Sequence, residues 1–208
     1  GSGASNVTSG LFASIGSGQW NIASSEYAVI GGGFCNIAGS FSVIGGGCCN
    51  ISSGSASTIS GGHLNTSSGY YSTISGGYGS TASGQYSVIG GGRRNRTTSF
   101  ANGSIIGGGS TNTASGPYTS LGGGVLNCVI GCRAVIGGGN TNIAGGNEST
   151  IGGGKLNTSN GVCSVISGGY CNTSSGNWSS IGGGNNNCAT CQYSIIGGGQ
   201  NNISSEWY

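Results

Sequence analysis

The sequence predicts an all-β chain: a parallel β-solenoid, or two-sided β-roll, of about 14 coils with mostly 15 residues per coil. Three observations carry this prediction. A fifteen-position unit, clearest in Ser104–Tyr118 (S-I-I-G-G-G-S-T-N-T-A-S-G-P-Y), can be laid along the whole chain. One large aliphatic residue returns at the third position of every full unit. The composition also suits no ordinary globular fold. Gly accounts for 50 of 208 residues, Pro occurs once, and there are five Lys/Arg and three Asp/Glu, against about 7% Gly and about 25% charge in typical domains.

Coils begin at Ala13, Ala28, Ser42, Ser57, Ser72, Ser87, Ser104, Thr119, Ala134, Ser149, Ser164, Ser179 and Ser194. Residues 1–12 are a partial coil that enters at the fourth position. Coil 28–41 is one residue short and coil 87–103 is two residues long. The expected organisation is a single solenoid domain over 1–208. The chain enters the unit at position 4 and stops at position 15, so both ends are expected to present open strand edges.

Position 3 is the predicted core ladder: Ile15, Ile30, Ile44, Ile59, Ile74, Ile89, Ile106, Leu121, Ile136, Ile151, Ile166, Ile181 and Ile196. Position 11 is small (Ala23, Ala38, Ala82, Ala114, Ala144, Ala189, Ser or Thr) except for Val129, and reads as the opposite wall of a thin core. Position 2 is mostly β-branched, as on the outer face of a strand. Alternation then places one short strand over positions 1–5 and a second over positions 10–12. Gly at positions 4–6 and 13 serves the two turns.

Position 9 is Asn in every coil except at Ser80: Asn6, Asn21, Asn36, Asn50, Asn65, Asn95, Asn112, Asn127, Asn142, Asn157, Asn172, Asn187 and Asn202. A stack of identical turn residues can hydrogen-bond rung to rung and accept a left-handed backbone, so this Asn ladder is read as structural. Position 15 is usually aromatic (Tyr27, Tyr71, Tyr86, Tyr118, Trp178, Tyr193, Tyr208), which predicts a partial aromatic ladder along one edge. Arg133 and Glu148 hold that position in successive coils, so an ion pair across one rung is expected.

The same residues exclude several classes. The Gly lacks collagen's every-third-residue period, and a fixed aliphatic phase argues against a disordered linker. A net charge of +2 gives little with which to neutralise phosphates, so nucleic acid is not an expected partner. No apolar run approaches the roughly 20 residues of a membrane span. The Gly triplets precede no G-K-[ST], and calcium-binding rolls need repeated Asp, which the sequence lacks. Acid–base catalysis would rest on one His and on Glu26, Glu148 and Glu206, widely spaced, so no catalytic residue, enzyme activity or cofactor is expected. Arg93, Arg94 and Arg96 are the one basic cluster, read as a solvated bulge on the coil with the insertion.

Nine Cys and ten Asn-X-Ser/Thr sequons point to an oxidising, extracellular setting. The chain has no Met and begins mid-coil, as a processed or partial chain would, so the missing signal peptide says nothing of location. Cys35 and Cys49 share position 8 in adjacent coils and form one disulfide candidate; Cys128 with Cys132, and Cys188 with Cys191, form two more. Cys48, Cys163 and Cys171 are left as free or interchain thiols, because nine is odd. Cys35, Cys48, Cys49 and His63 share one corner in the manner of a Cys₃His zinc site. A disulfide with an exposed His is preferred there, and no metal is assigned. Among the sequons, Asn102, Asn147 and Asn177 rank first as glycan acceptors, followed by Asn6, Asn50, Asn65, Asn95, Asn157, Asn172 and Asn202 of the ladder.

The alternation S-x-I-G followed by A-S-G, as in Ser42-Val43-Ile44-Gly45 and Ala114-Ser115-Gly116, resembles the head repeats of YadA-type trimeric autotransporter adhesins. That resemblance implies a parallel β-roll, association of three chains and an extracellular adhesive head. The leading expectation is a structural subunit of an extracellular, glycosylated and disulfide-stabilised fibre, with the chain itself as partner. An adhesin head that binds surface glycans or cells is the alternative. Ice binding is a third class, for which the Thr/Ile rows are uneven.

Overall fold

The computed structural model describes residues 3–205 of the chain. Tyr208 of the expected aromatic ladder and Glu206 lie outside the described residues. Internal contacts divide the chain into two compact units, Gly1–Gly103 and Ser104–Tyr208, each built on the same plan.

The chain is an all-β parallel solenoid. Among the described residues its strands are two residues long: one occupies positions 10–11 in 14 coils, as in Ile51–Ser52, and the other positions 2–3 in 13 coils, as in Val43–Ile44. Strands from successive coils pair in parallel and in register, so each unit carries two sheets. Val29 and Ile30 pair with Val43 and Ile44 in the first unit, and Thr150 and Ile151 with Val165 and Ile166 in the second. The deletion in coil 28–41 leaves the register intact, with Ile37 opposite Ile51.

Both strands are shorter than the predicted 1–5 and 10–12, because the backbone bends sooner. Position 8 is left-handed in coil after coil, as at Cys35 (φ 53°) and Thr141 (φ 54°), and so is position 15, as at Tyr27 (φ 54°) and Glu148 (φ 58°). Between the strands, position 7 adds a third parallel ladder of isolated bridges, Gln19 through Arg93 in one unit and Ser110 through Gln200 in the other. Its bridges are backbone to backbone, which is why residues as unlike as Phe34, Cys48, His63 and Tyr78 share it.

The interior takes its side chains from positions 1, 3, 9 and 11. The Ile row and Leu121 are closed to solvent from Ile30 to Ile181, with Ala or Ser of position 11 buried as well. Val29, Val43, Ile105 and Val135 at position 2 stay on the outer face. Position 1 was not anticipated as core. Its small residues are buried from Ala28 to Ser194, and the hydroxyls of Ser57 and Ser72 are bonded inward. No helix among the described residues is long and apolar enough to cross a membrane.

Candidate functional site

The first corner runs through positions 4–9 and is locked by the buried Asn. Asn36 accepts on Oδ1 from the backbone N–H of Asn50 at 3.0 Å. Its Nδ2 donates back to Gly32 O at 3.1 Å and across to Gly47 O of the next coil at 2.9 Å. Asn157 repeats the pattern with Gly153 O, Gly169 O and the N–H of Asn172. One side chain thus satisfies the buried N–H of the next Asn and the position-5 carbonyl, and adds a second donor to a position-6 carbonyl that also accepts from the preceding coil, as Gly47 O does from Phe34 N at 2.9 Å. Ser80 fills the gap in the row, taking Asn65 Oδ1 on its N–H (2.9 Å) and offering Oγ to the N–H of Asn95 (3.2 Å).

The Asn does not itself take the left-handed conformation that the sequence suggested. Position 8, just before it, does so, together with Gly at position 6, as at Gly33 (φ 98°). A Cβ on Gly33 would also collide with Gly47 O and lie 2.8 Å from Asn36 Nδ2. Only Gly meets both demands.

The second corner runs through positions 12–15 and is held by backbone. The N–H of the following position 1 returns to the position-13 carbonyl, as from Ser57 to Gly54 at 3.1 Å. Ser57 Oγ adds bonds to Gly54 O (2.6 Å) and Ser52 Oγ (2.7 Å). Where position 11 is Ala144 or Ala189 instead of Ser, Ser149 and Ser194 have no partner for Oγ. Gly54, Gly69, Gly161 and Gly176 at position 13 lack positive φ, so a bend is not what demands them. Their Cβ positions are taken by the carbonyl of the next coil, and close stacking is the constraint.

Both length changes fall at this second corner. Gly39 takes the position-13 role in the short coil, accepting from Ser42 N at 3.2 Å. The long coil's extra residues are Ser99 and Phe100, since Ala101 stands under Gly84 and Gly103 N bonds Gln85 O. Arg93, Arg94 and Arg96 therefore do not sit on the insertion. They occupy positions 7, 8 and 10 at the opposite corner, exposed on regular backbone, which corrects the expected bulge.

The position-15 edge carries exposed rings in stacks. Phe12, Tyr27 and Phe41 lie 5.0 and 5.1 Å apart in sequence, Tyr71 and Tyr86 5.5 Å, and Trp178 and Tyr193 5.3 Å. Phe12 and Phe41 escaped the sequence reading because one ends the partial coil and the other the shortened one. Arg133 and Glu148 pair on the same edge, and Cys163 Sγ reaches Glu148 Oε2 at 3.4 Å. Arg133 and, less strongly, Cys163 hold the Glu148 carboxyl below its ordinary range.

None of the nine cysteines is in a disulfide in this structure. The expected Cys35–Cys49, Cys128–Cys132 and Cys188–Cys191 bridges are absent. Cys49 turns its sulfur along its own coil, 3.2 Å from Cys48 Sγ, and not across to Cys35. Cys128 is part of strand Cys128–Val129, whereas Cys132 belongs to the turn, its N–H held by Asn147 Oδ1 at 2.9 Å. Cys188 lies in Cys188–Ala189, and Cys191 backs against Gly176 in the close stack. Cys163 and Cys171 stand at positions 15 and 8, both left-handed.

The sequons separate by corner. Asn50, Asn65, Asn95, Asn157 and Asn172 are sealed inside, with Nδ2 bonded to backbone carbonyls. A glycan on that nitrogen is incompatible with the coil. Asn6 is half-buried and Asn202 exposed. Asn147 and Asn177 are exposed at position 14 and Asn102 is half-buried beside the insertion, each spending Oδ1 on a neighbouring backbone N–H.

No protein-family model matches the chain, and no curated protein matches it. What the fold defines is the class: a parallel β-solenoid repeat protein.

Proposed function

We propose that the chain is a structural element of an extracellular fibre that assembles by stacking coil on coil. One observation carries this reading: the bonding of a coil to its neighbours repeats from rung to rung, with Ser80 standing in for one Asn of the row. Asn Oδ1 accepts from the next Asn, position-6 carbonyls accept from the preceding coil, and Ile sits on Ile. Such an interface has no built-in length, and a coil from a second copy would offer the same donors and acceptors. Backbone and Asn ladders, in place of disulfides, are the cohesive elements of the proposed fibre, and Asn147 and Asn177 are the proposed glycan sites. Electron microscopy of native material tests it. Filaments with a rung repeat of about 4.8 Å along the axis are expected; discrete particles at high concentration would overturn it.

The stacked, exposed rings of position 15 favour a second reading, an adhesive head in the manner of the YadA-type repeats. Flat aromatic faces with nearby hydroxyls suit sugar rings, and Tyr70, Tyr71 and Tyr86 form the densest group. On this reading Tyr71→Ser with Tyr86→Ser abolishes glycan or cell binding while circular dichroism is unchanged. Binding that survives the pair would remove it.

A further inference from the structure

The chain's one His and its one Cys-Cys pair fall on adjacent rungs. Cys48 and His63 are neighbours in the position-7 ladder. Cys49 follows in the left-handed conformation (φ 56°), which folds its side chain back beside Cys48. The two sulfurs and a ring nitrogen of His63 all lie within 4.8 Å of one another. The backbone beneath them is pinned on both rungs: Cys48 N to Gly62 O at 2.9 Å, Cys49 N to Phe34 O at 2.8 Å, His63 N to Gly77 O at 2.9 Å and Leu64 N to Cys48 O at 3.1 Å.

We propose that Cys48, Cys49 and His63 form a zinc(II) site that staples two neighbouring coils. Two thiolates and an imidazole are a soft-to-borderline donor set, which selects zinc over magnesium or calcium. A tetrahedral ion with bonds of about 2.3 Å to sulfur and about 2.0 Å to nitrogen holds its ligand atoms roughly 3.5–3.8 Å apart. The present spacing, from 3.2 Å between the sulfurs to at most 4.8 Å, reaches that geometry by side-chain rotation over a fixed backbone. On binding, each thiol releases its proton to solvent as a Zn–S bond forms, and neutral His63 donates a ring lone pair. Water takes the fourth position, since His63 is exposed and both Cys are half-buried. Cys35, one rung earlier at position 8, is not part of the cluster.

The site is tested on the full chain, kept reduced under argon, by titration with cobalt(II) and displacement with zinc(II). One tight ion per chain is expected, with a thiolate-to-cobalt charge-transfer band and tetrahedral d–d bands. Cys48→Ser, Cys49→Ser and His63→Asn should each weaken zinc by about 100-fold or more, while Cys35→Ser and Cys171→Ser leave it unchanged. Circular dichroism checks that the variants keep the fold, and because these three side chains lie outside the core, loss of binding is separable from unfolding. Undiminished affinity in the three variants would overturn the proposal, as would equal loss in the two controls. Binding of copper(I) without zinc(II) would overturn the ion assigned.

Discussion

The two corners of the coil turn the chain through similar left-handed bends, yet they are fastened differently. At the first corner a buried amide is wired into three backbone groups, and the residue is Asn in every coil but that of Ser80. At the second, one backbone bond returns to position 13, and Ser or Thr hydroxyls supplement it. Side-chain wiring fixes the number of residues between its attachment points, whereas a backbone bond can be reached by more than one path. Accordingly, the deletion before Gly39, the extra Ser99 and Phe100, and Pro117 all occur at the second corner. The shortened coil shows the same slack, since a Cβ on Gly39 would meet the next backbone at 3.2 Å where one on Gly54 would collide with Gly69 O.

The largest effect should come from breaking the wired corner. Asn157→Ala strands the buried N–H of Asn172 and removes the donor to Gly153 O, while Gly169 O keeps its bond from Lys155 N, with an expected loss of about 2–4 kcal/mol in chemical denaturation. A loss below about 1 kcal/mol would mean that water replaces the amide and the corner is not locked. Next comes the apolar wall between the corners. Ile151→Ala leaves a cavity among buried neighbours and should lose about 3 kcal/mol, read the same way. The smallest effect belongs to the exposed pair on the second corner's edge. Because Arg133 and Cys163 lower the Glu148 carboxyl, its contribution is present above the ordinary carboxylate pKa of about 4.3. That contribution is lost as pH falls through the lowered value. Glu148→Gln should therefore lower the melting temperature slightly at neutral pH and low salt, with no difference at strongly acidic pH.

How much of this was legible depended on whether side chains or backbone do the holding. The Ile and Asn rows were readable because each position makes one chemical demand, apolar bulk or an amide, at every rung. Burial of position 1 was readable in principle from its restriction to Ser, Ala and Thr, a size signal overshadowed by the Ile row two residues on. The left-handed positions 8 and 15 were not readable. Tyr27, Arg133, Glu148 and Cys163 share no propensity for that conformation, which costs each about 1 kcal/mol or more. They accept it because ladder bonds on both sides fix the bend, as from Tyr71 N to Ser55 O. The position-7 ladder was hidden for the same reason. The structure leaves the expected cysteine pairs unjoined, because shared register sets which rungs are adjacent, not which way a sulfur points, as Cys49 shows against Cys35.

The central claim is that the Asn corner is locked to a fixed residue count while the second corner is adaptable. A pair of insertions in coil 149–163 tests it directly: Ser-Phe after Asn160, copying the natural Ser99 and Phe100, against Ser-Gly after Gly153 within the triplet. The account predicts that the first variant melts cooperatively within a few degrees of the parent, while the second loses its cooperative transition. Equal tolerance of the two, or greater tolerance at the triplet, would contradict it.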